Sequence, residues 1–207
     1  GGGGGGGGDG GNGGDGGFGG GNGGDGNDSG GGGGAGLGGG IFNLGGTVTI
    51  TASTLSGNSA AGGTAGANGT GATTGQGLGG AIFNLNGTVS VTNATFSGNT
   101  AAQSGQAIYS LAHETANGIA PANAAANLAN SIFAEANAIA AQKRGGDAGD
   151  SGINFSGPNV VPSTISLTGG ATSSGTTPIN ANPLLAPLGS YGGPTQTHAL
   201  LPGSPAI

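Results

Sequence analysis

The chain has 207 residues, 57 of them glycine, with only two basic and eight acidic side chains and a formal net charge of −6. Lys143 and Arg144 are too few to hold a phosphate backbone, which argues against nucleic acid as a partner. The absence of cysteine excludes a disulfide framework and thiolate or Cys-based zinc chemistry. Hydrophobic residues make up 33% of the chain and aromatics 4%, so a conventional layered core would be thin; stacked repeats that close one another's interior suit this composition better.

Residues 1–35 are almost all Gly with Asn and Asp. Such a composition buries too little apolar surface to offset ordering entropy and is expected to form a flexible low-complexity loop or tail. A long loop extruded between two coils, or packed polyglycine strands, are the other readings. GGDGNDSGG at 23–31 matches part of a calcium-binding nonapeptide. It occurs once, with Gly30 at the hydrophobic position, so no metal site is assigned to it.

From residue 36 the chain repeats itself. GGGIFNLGGTVTITASTLSGNSA starts at Gly38, GGAIFNLNGTVSVTNATFSGNTA at Gly79, and a decayed GQAIYSL at Gly105. The spacings are 41 and 26, and the difference equals the 15 residues of GGTAGANGTGATTGQ at 62–76. A unit of about 26 residues with one inserted loop follows. Within each unit, Thr47 to Thr51 and Thr88 to Thr92 alternate polar and aliphatic, the period of a half-buried strand. Val48, Ile50, Val89 and Val91 then point inward and the hydroxyls outward. IFNL at 41 and 82, and TLS or TFS before Gly57 and Gly98, supply two more short strands per unit, with Gly and Asn at the turns. The fold class expected is all-β: a parallel β-helix with three strands per coil across 36–160, each strand lying parallel on its equivalent.

Residues 112–123 are expected to form a second insert. The Ala-rich stretch 124–144 has high helix propensity and a basic end suited to a helix C-terminus. LANSIF from Leu128 nevertheless aligns with VTNATF from Val91 at an offset of 37, one coil plus an 11-residue insert. Strand is the expectation for this stretch. The prolines at 178, 183, 187, 194, 202 and 205 exclude long regular elements from the end of the chain, so 161–207 is expected to close the last coil.

GGAIFN followed by VSVTNATFSGNTA resembles the coils of bacterial right-handed parallel β-helix proteins of the polymorphic outer-membrane and autotransporter-passenger type. NPLLAPLGSYGGPTQTHALLPGSPAI, residues 182–207, is similar to the C-terminal signature of choice-of-anchor Q domain proteins. The family usually has Asp where Asn182 stands and continues with Asp and Gly after the final Ile. The resemblance implies a right-handed solenoid, secreted or displayed on the bacterial surface. The opening glycine, and an ending short of the family's pattern, lead to the expectation of an excerpt whose signals and anchors lie outside it.

Parallel β-helices also host polysaccharide lyases and hydrolases, whose chemistry needs paired carboxylates or calcium with a base. No Asp, Glu, Lys or Arg occurs from Gly30 to Ala112. Glu114, Glu135, Asp147 and Asp150 are the acidic candidates, read as solvated loop charges rather than an active site. His113 and His198 are read as packed or capped polar residues, and Ser204 lacks a nucleophile-elbow pattern. Asn58 and Asn99 are expected in left-handed turns, and Asn43 and Asn84 as an internal amide ladder. The rows Thr47, Thr49, Thr51 and Thr88, Ser90, Thr92 raise ice binding as a minor alternative. No catalytic, cofactor-binding or metal residue is assigned. The expectation is a non-catalytic extracellular or cell-surface structural or adhesive module. Its candidate partners are polysaccharides or surface glycans and other copies of itself through the solenoid ends. Nucleic acid and membrane-spanning segments have no place in this reading. The alternatives are a fragment of a polysaccharide-active enzyme or a passive stalk.

Overall fold

The computed structural model describes residues 2–8, 11–26, 29–67, 70–114, 123–145 and 149–207. It is all-β, with no helix among the described residues. The strands are β1 (Gly36–Leu37), β2 (Ile41–Leu44), β3 (Thr47–Thr51), β4 (Thr54–Ser56), β5 (Ser59–Ala60), β6 (Gly77–Leu78), β7 (Ile82–Leu85), β8 (Thr88–Thr92) and β9 (Thr95–Ser97). They continue with β10 (Thr100–Ala101), β11 (Ile108–His113), β12 (Ala124–Ala129), β13 (Ile132–Phe133), β14 (Ile139–Arg144), β15 (Ser151–Ser156), β16 (Ser166–Thr168) and β17 (Thr172–Gly175).

Three sheets organise these strands. The first runs β16, β14, β11, β7, β2; the second β17, β15, β12, β8, β3; the third β13, β9, β4. Small β1–β6 and β5–β10 pairs stand beside them, and every strand pair is parallel. The chain visits the three sheets in turn, laying each strand against the one from its previous visit. Isolated parallel bridges from Ile132 to Val160 and from Val160 to Ile179 extend the third sheet's line through the last two visits.

The registers are those the repeats dictate. Ile41 pairs with Ile82 and Val48 with Val89, 41 residues apart, while Ile82 pairs with Ile108 at 26. In the Ala-rich region Leu128 pairs with Val91 and Phe133 with Phe96, both at 37. Helix propensity loses here because β12 has partners on both edges and buries Ala126 and Leu128 in the common core. That core also holds Ile82, Val89, Val91, Ile108, Ile139 and Ile153, with the rings of Phe96 and Phe133 stacked at 4.8 Å. Asn43 Nδ2 donates to Asn84 Oδ1 (2.8 Å), and Asn84 Nδ2 to Ser110 Oγ (3.1 Å), forming the expected internal ladder.

The turns differ from expectation at one station. Gly57 and Gly98, not Asn58 and Asn99, take positive φ, since glycine adopts this region without a Cβ clash. Ala52, Asn93 and Asn130 share a second left-handed station, with φ of 48°, 53° and 48°. Asparagine tolerates that geometry through local hydrogen bonding, whereas alanine does not. Ala52→Asn is therefore expected to stabilise the fold by about 0.5–1 kcal/mol, read as a shift in urea midpoint; a lower midpoint would refute it.

The glycine tract, expected as a flexible loop, is hydrogen-bonded in the structure. Gly4 N–H donates to Gly21 O and Gly7 N–H to Gly24 O; Gly14 N–H donates to Gly5 O and Gly17 N–H to Gly2 O. Gly23 N–H donates to Gly14 O and Gly26 N–H to Gly11 O. The donors recur every third residue, the period of polyproline II geometry with three residues per turn. The inserted loop joins this layer through Gly63 to Gly34, Gly66 to Gly31 and Thr73 to Asn22. Packing without side chains is what makes it work: a Cβ on Gly4, Gly13, Gly23 or Gly33 would overlap a neighbour's carbonyl.

This layer lies on the outward face of the first sheet. There Phe42, Phe83 and Tyr109 stack one above another, with centroids 5.7 and 5.5 Å apart. Phe18 of the glycine tract sits 6.1 Å from Phe83. The second insert falls mostly on 115–122, outside the described residues. The tail, expected to close the last coil, reaches back to the first repeat: Thr197 Oγ1 meets Thr54 Oγ1 at 3.2 Å and His198 meets Ser56 at 3.3 Å.

Candidate functional site

The second sheet's outward face is the most regular surface of the molecule. Strand alternation sends Val48 and Ile50, and their partners on β8, β12 and β15, into the core. It turns the residues between them outward. Pairing aligns Thr49, Ser90, Asn127, Asn154 and Ser174 in one column across five strands. At a strand spacing of about 4.8 Å that column is about 19 Å long. Asn154 Nδ2 donates to Asn127 Oδ1 (3.0 Å), and Ser174 Oγ–H donates to Asn154 Oδ1 (2.7 Å). Flanking columns begin with Thr47 and Thr88, or Thr51 and Thr92, then pass to Ala125 and Ala129 on β12. The threonine array is thus two strands wide. No residue of these columns carries a charge, so the face offers hydroxyl and amide groups over a flat, pre-organised surface.

The acidic candidates are dispersed. Asp150, before β15, has Lys143 Nζ at 4.0 Å and is almost fully exposed, where such a pair contributes little. Glu114 follows β11 and its N–H donates to Arg144 O. Asp147, and Asn27 and Asp28 of the GGDGNDSGG motif, lie outside the described residues. Asp25 of that motif accepts the Gly13 N–H at 2.7 Å. No group of three or more His, Asp or Glu side chains able to hold a metal occurs among the described residues.

Glu135 differs from the rest, being 6% exposed. It extends a second amide ladder: Asn58 Nδ2 donates to Asn99 Oδ1 (2.8 Å), and Asn99 Nδ2 to Glu135 Oε1 (2.6 Å). Glu135 Oε2 and Ser163 Oγ are buried without a partner among the described residues. Burial pushes the Glu135 carboxyl above the usual glutamate range, against the opposing pull of the Asn99 donors and nearby His198. The folded state therefore binds this proton more tightly than the unfolded state. The stabilisation it brings is present at acid pH and lost as pH rises from the ordinary glutamate value through the raised one. Glu135→Gln keeps an acceptor for Asn99 without charge. Its Tm is expected to match the parent's near about pH 4 and exceed it near about pH 8; parallel pH profiles would contradict this.

The remaining polar candidates have structural partners. His198 Nδ1–H donates to Ala186 O (2.8 Å), leaving Nε2 to accept from Ser56 Oγ–H. His113 Nδ1–H donates to Glu114 O, and its ring meets Phe18 edge-on at 5.7 Å. Ser204 Oγ–H donates to Pro183 O (2.6 Å). Among the described residues no helix is long and apolar enough to cross a membrane. No protein-family model, curated protein or solved structure matches this chain.

Proposed function

We propose that this chain is a right-handed parallel β-solenoid of the choice-of-anchor Q or autotransporter-passenger kind. In this reading it serves outside the bacterial cell or on its surface as a non-catalytic structural and adhesive module. The observation that supports the adhesive role most directly is the uncharged column of hydroxyls and amides across all five strands of the second sheet. Such a face suits repeated weak contacts with neutral and sparsely charged glycans, because its donors and acceptors are fixed by the strands before a ligand arrives. Self-association fits the same architecture: β2, β3 and β4 are edge strands of their sheets, and unpaired edges template further pairing.

The test is to incubate the whole chain with neutral and acidic polysaccharides and to score both retention and newly formed chain ends. Retention without new ends is the expected result. New ends lost on replacing Glu114 or Asp150 would make the protein an enzyme. Neither retention nor cleavage would leave a passive stalk. In sedimentation, mass should rise with concentration and fall when a proline on β3 blocks its edge.

A further inference from the structure

Where the glycine layer meets the first sheet's outward face, the two line a half-open cavity of about 260 Å³, on a different sheet from the polar columns. Phe18 and Gln76 line it from the glycine layer and the inserted loop. Gln103 lines it from the segment before β11, Tyr109 from β11, and Gln142 and Arg144 from β14. Arg144 is one of only two basic residues in the chain. The other, Lys143, has Asp150 beside it. The guanidinium carbon of Arg144 lies 5.2 Å from the Phe18 ring centroid, a cation–π contact that holds the charge at the cavity wall.

The hydrogen bonds of the lining orient its amides. Tyr109 Oη–H donates to Gln142 Oε1 at 2.7 Å, which turns the Gln142 amide nitrogen away from the tyrosine. Gln103 Oε1 accepts the Gly77 N–H, which directs its own amide nitrogen elsewhere in the same way. With the guanidinium and the hydroxyls of Ser104, Ser166 and Thr168 this lining offers donors, and among the described residues no carboxylate belongs to it. A fitting ligand must bring acceptors and one negative charge. A polyanion is disfavoured by the net charge of −6, whereas a single carboxylate matches the planar fork of one arginine. The cavity is smaller than the roughly 300–1,000 Å³ that hold drug-sized ligands, so about one sugar ring fits inside it. Phe18 and Tyr109 supply apolar walls for the C–H face of such a ring, and the amides supply partners for its hydroxyls.

We propose that this cavity binds one hexuronic acid unit, its carboxylate on Arg144 and its hydroxyls on the glutamine amides. The assignment rests on the glycan-contacting reading above and gives it a ligand class. The test titrates the full chain with glucuronate and galacturonate, and with glucose, galactose, acetate and inorganic phosphate, by calorimetry. Uronates should bind at least about tenfold more tightly than the neutral sugars, and Arg144→Gln should remove that preference. Gln142→Met, which keeps the strand but not the amide, should weaken uronate binding with less effect on acetate. Equal binding of neutral sugars, undiminished binding by Arg144→Gln, acetate or phosphate binding as tightly as uronate, or no uronate binding would each overturn the proposal. Polysaccharide retention by a chain that ignores uronates would sink this site and leave the adhesive reading standing. Uronate binding without any polysaccharide retention would do the reverse.

Discussion

Phe83→Ala is expected to destabilise the protein by about 3–5 kcal/mol, the range for removing a fully buried phenylalanine, and to detach the glycine layer at the same time. Phe83 lies on the outward face of its sheet yet is 0% exposed. Phe42 and Tyr109 stack on its two sides, and Phe18 covers it from the glycine tract. Alanine leaves the stack without its centre and Phe18 without the ring it packs on. Denaturant unfolding should show the lost stability, and amide exchange should show protection falling in residues 2–35. Phe42 is 48% exposed, so Phe42→Ala should cost markedly less and leave the layer docked. A loss below about 1 kcal/mol for Phe83→Ala, with exchange in the tract unchanged, would refute this account of the docking.

The second large effect separates two neighbouring glycines. A Cβ on Gly4 would overlap the Gly14 carbonyl, whereas one on Gly5 meets nothing within 4 Å. Backbone is the obstruction in the first case, so no side chain can swing aside. Gly4→Ala should force segments apart and cost about 1–3 kcal/mol or more. Gly5→Ala should be neutral or stabilising by about 0.4–1 kcal/mol, because alanine narrows the unfolded ensemble. Limited proteolysis of the tract gives the readout: rapid cleavage in the first variant and parental resistance in the second. Equal behaviour of the pair would argue that the layer is not packed as described.

The sequence made the sheets legible because repeated side chains carry register. The offsets of 41, 26 and 37 each recur as strand pairings, and LANSIF pairs as a strand despite its alanines. IFNL was less transparent. Its apolar residues do not alternate, which is what a strand covered on both faces looks like. Ile82 joins the interior while Phe83 is covered by the glycine layer. The layer did leave a mark, though a faint one: Asp9, Asn12, Asp15 and Phe18, and then Asn22, Asp25 and Asp28, recur every third residue, the same period as its hydrogen bonding, but with neither the alternation of a strand nor the apolar stripe of a helix. The left-handed stations were misplaced by one residue for a related reason. In SGN both the glycine and the asparagine tolerate positive φ, and only the ladder from Asn58 through Asn99 to Glu135 shows that the asparagines serve another purpose. The tail's return to Thr54 and Ser56 depends on contacts more than 140 residues apart in sequence, which no local pattern encodes.

The glycine layer also sets how the protein responds to temperature. Its cohesion is peptide-to-peptide hydrogen bonding with Phe18 as its one large apolar side chain. Apart from the aromatic patch around Phe83 that it covers, melting the layer exposes mainly peptide groups, and polar and apolar surface contribute to the heat capacity with opposite signs. The increment on unfolding is small, and the stability of the layer varies gently with temperature. Cooling weakens hydrophobic cores, so in the cold the glycine layer holds its strength while the aliphatic interior beside it loses some of its own.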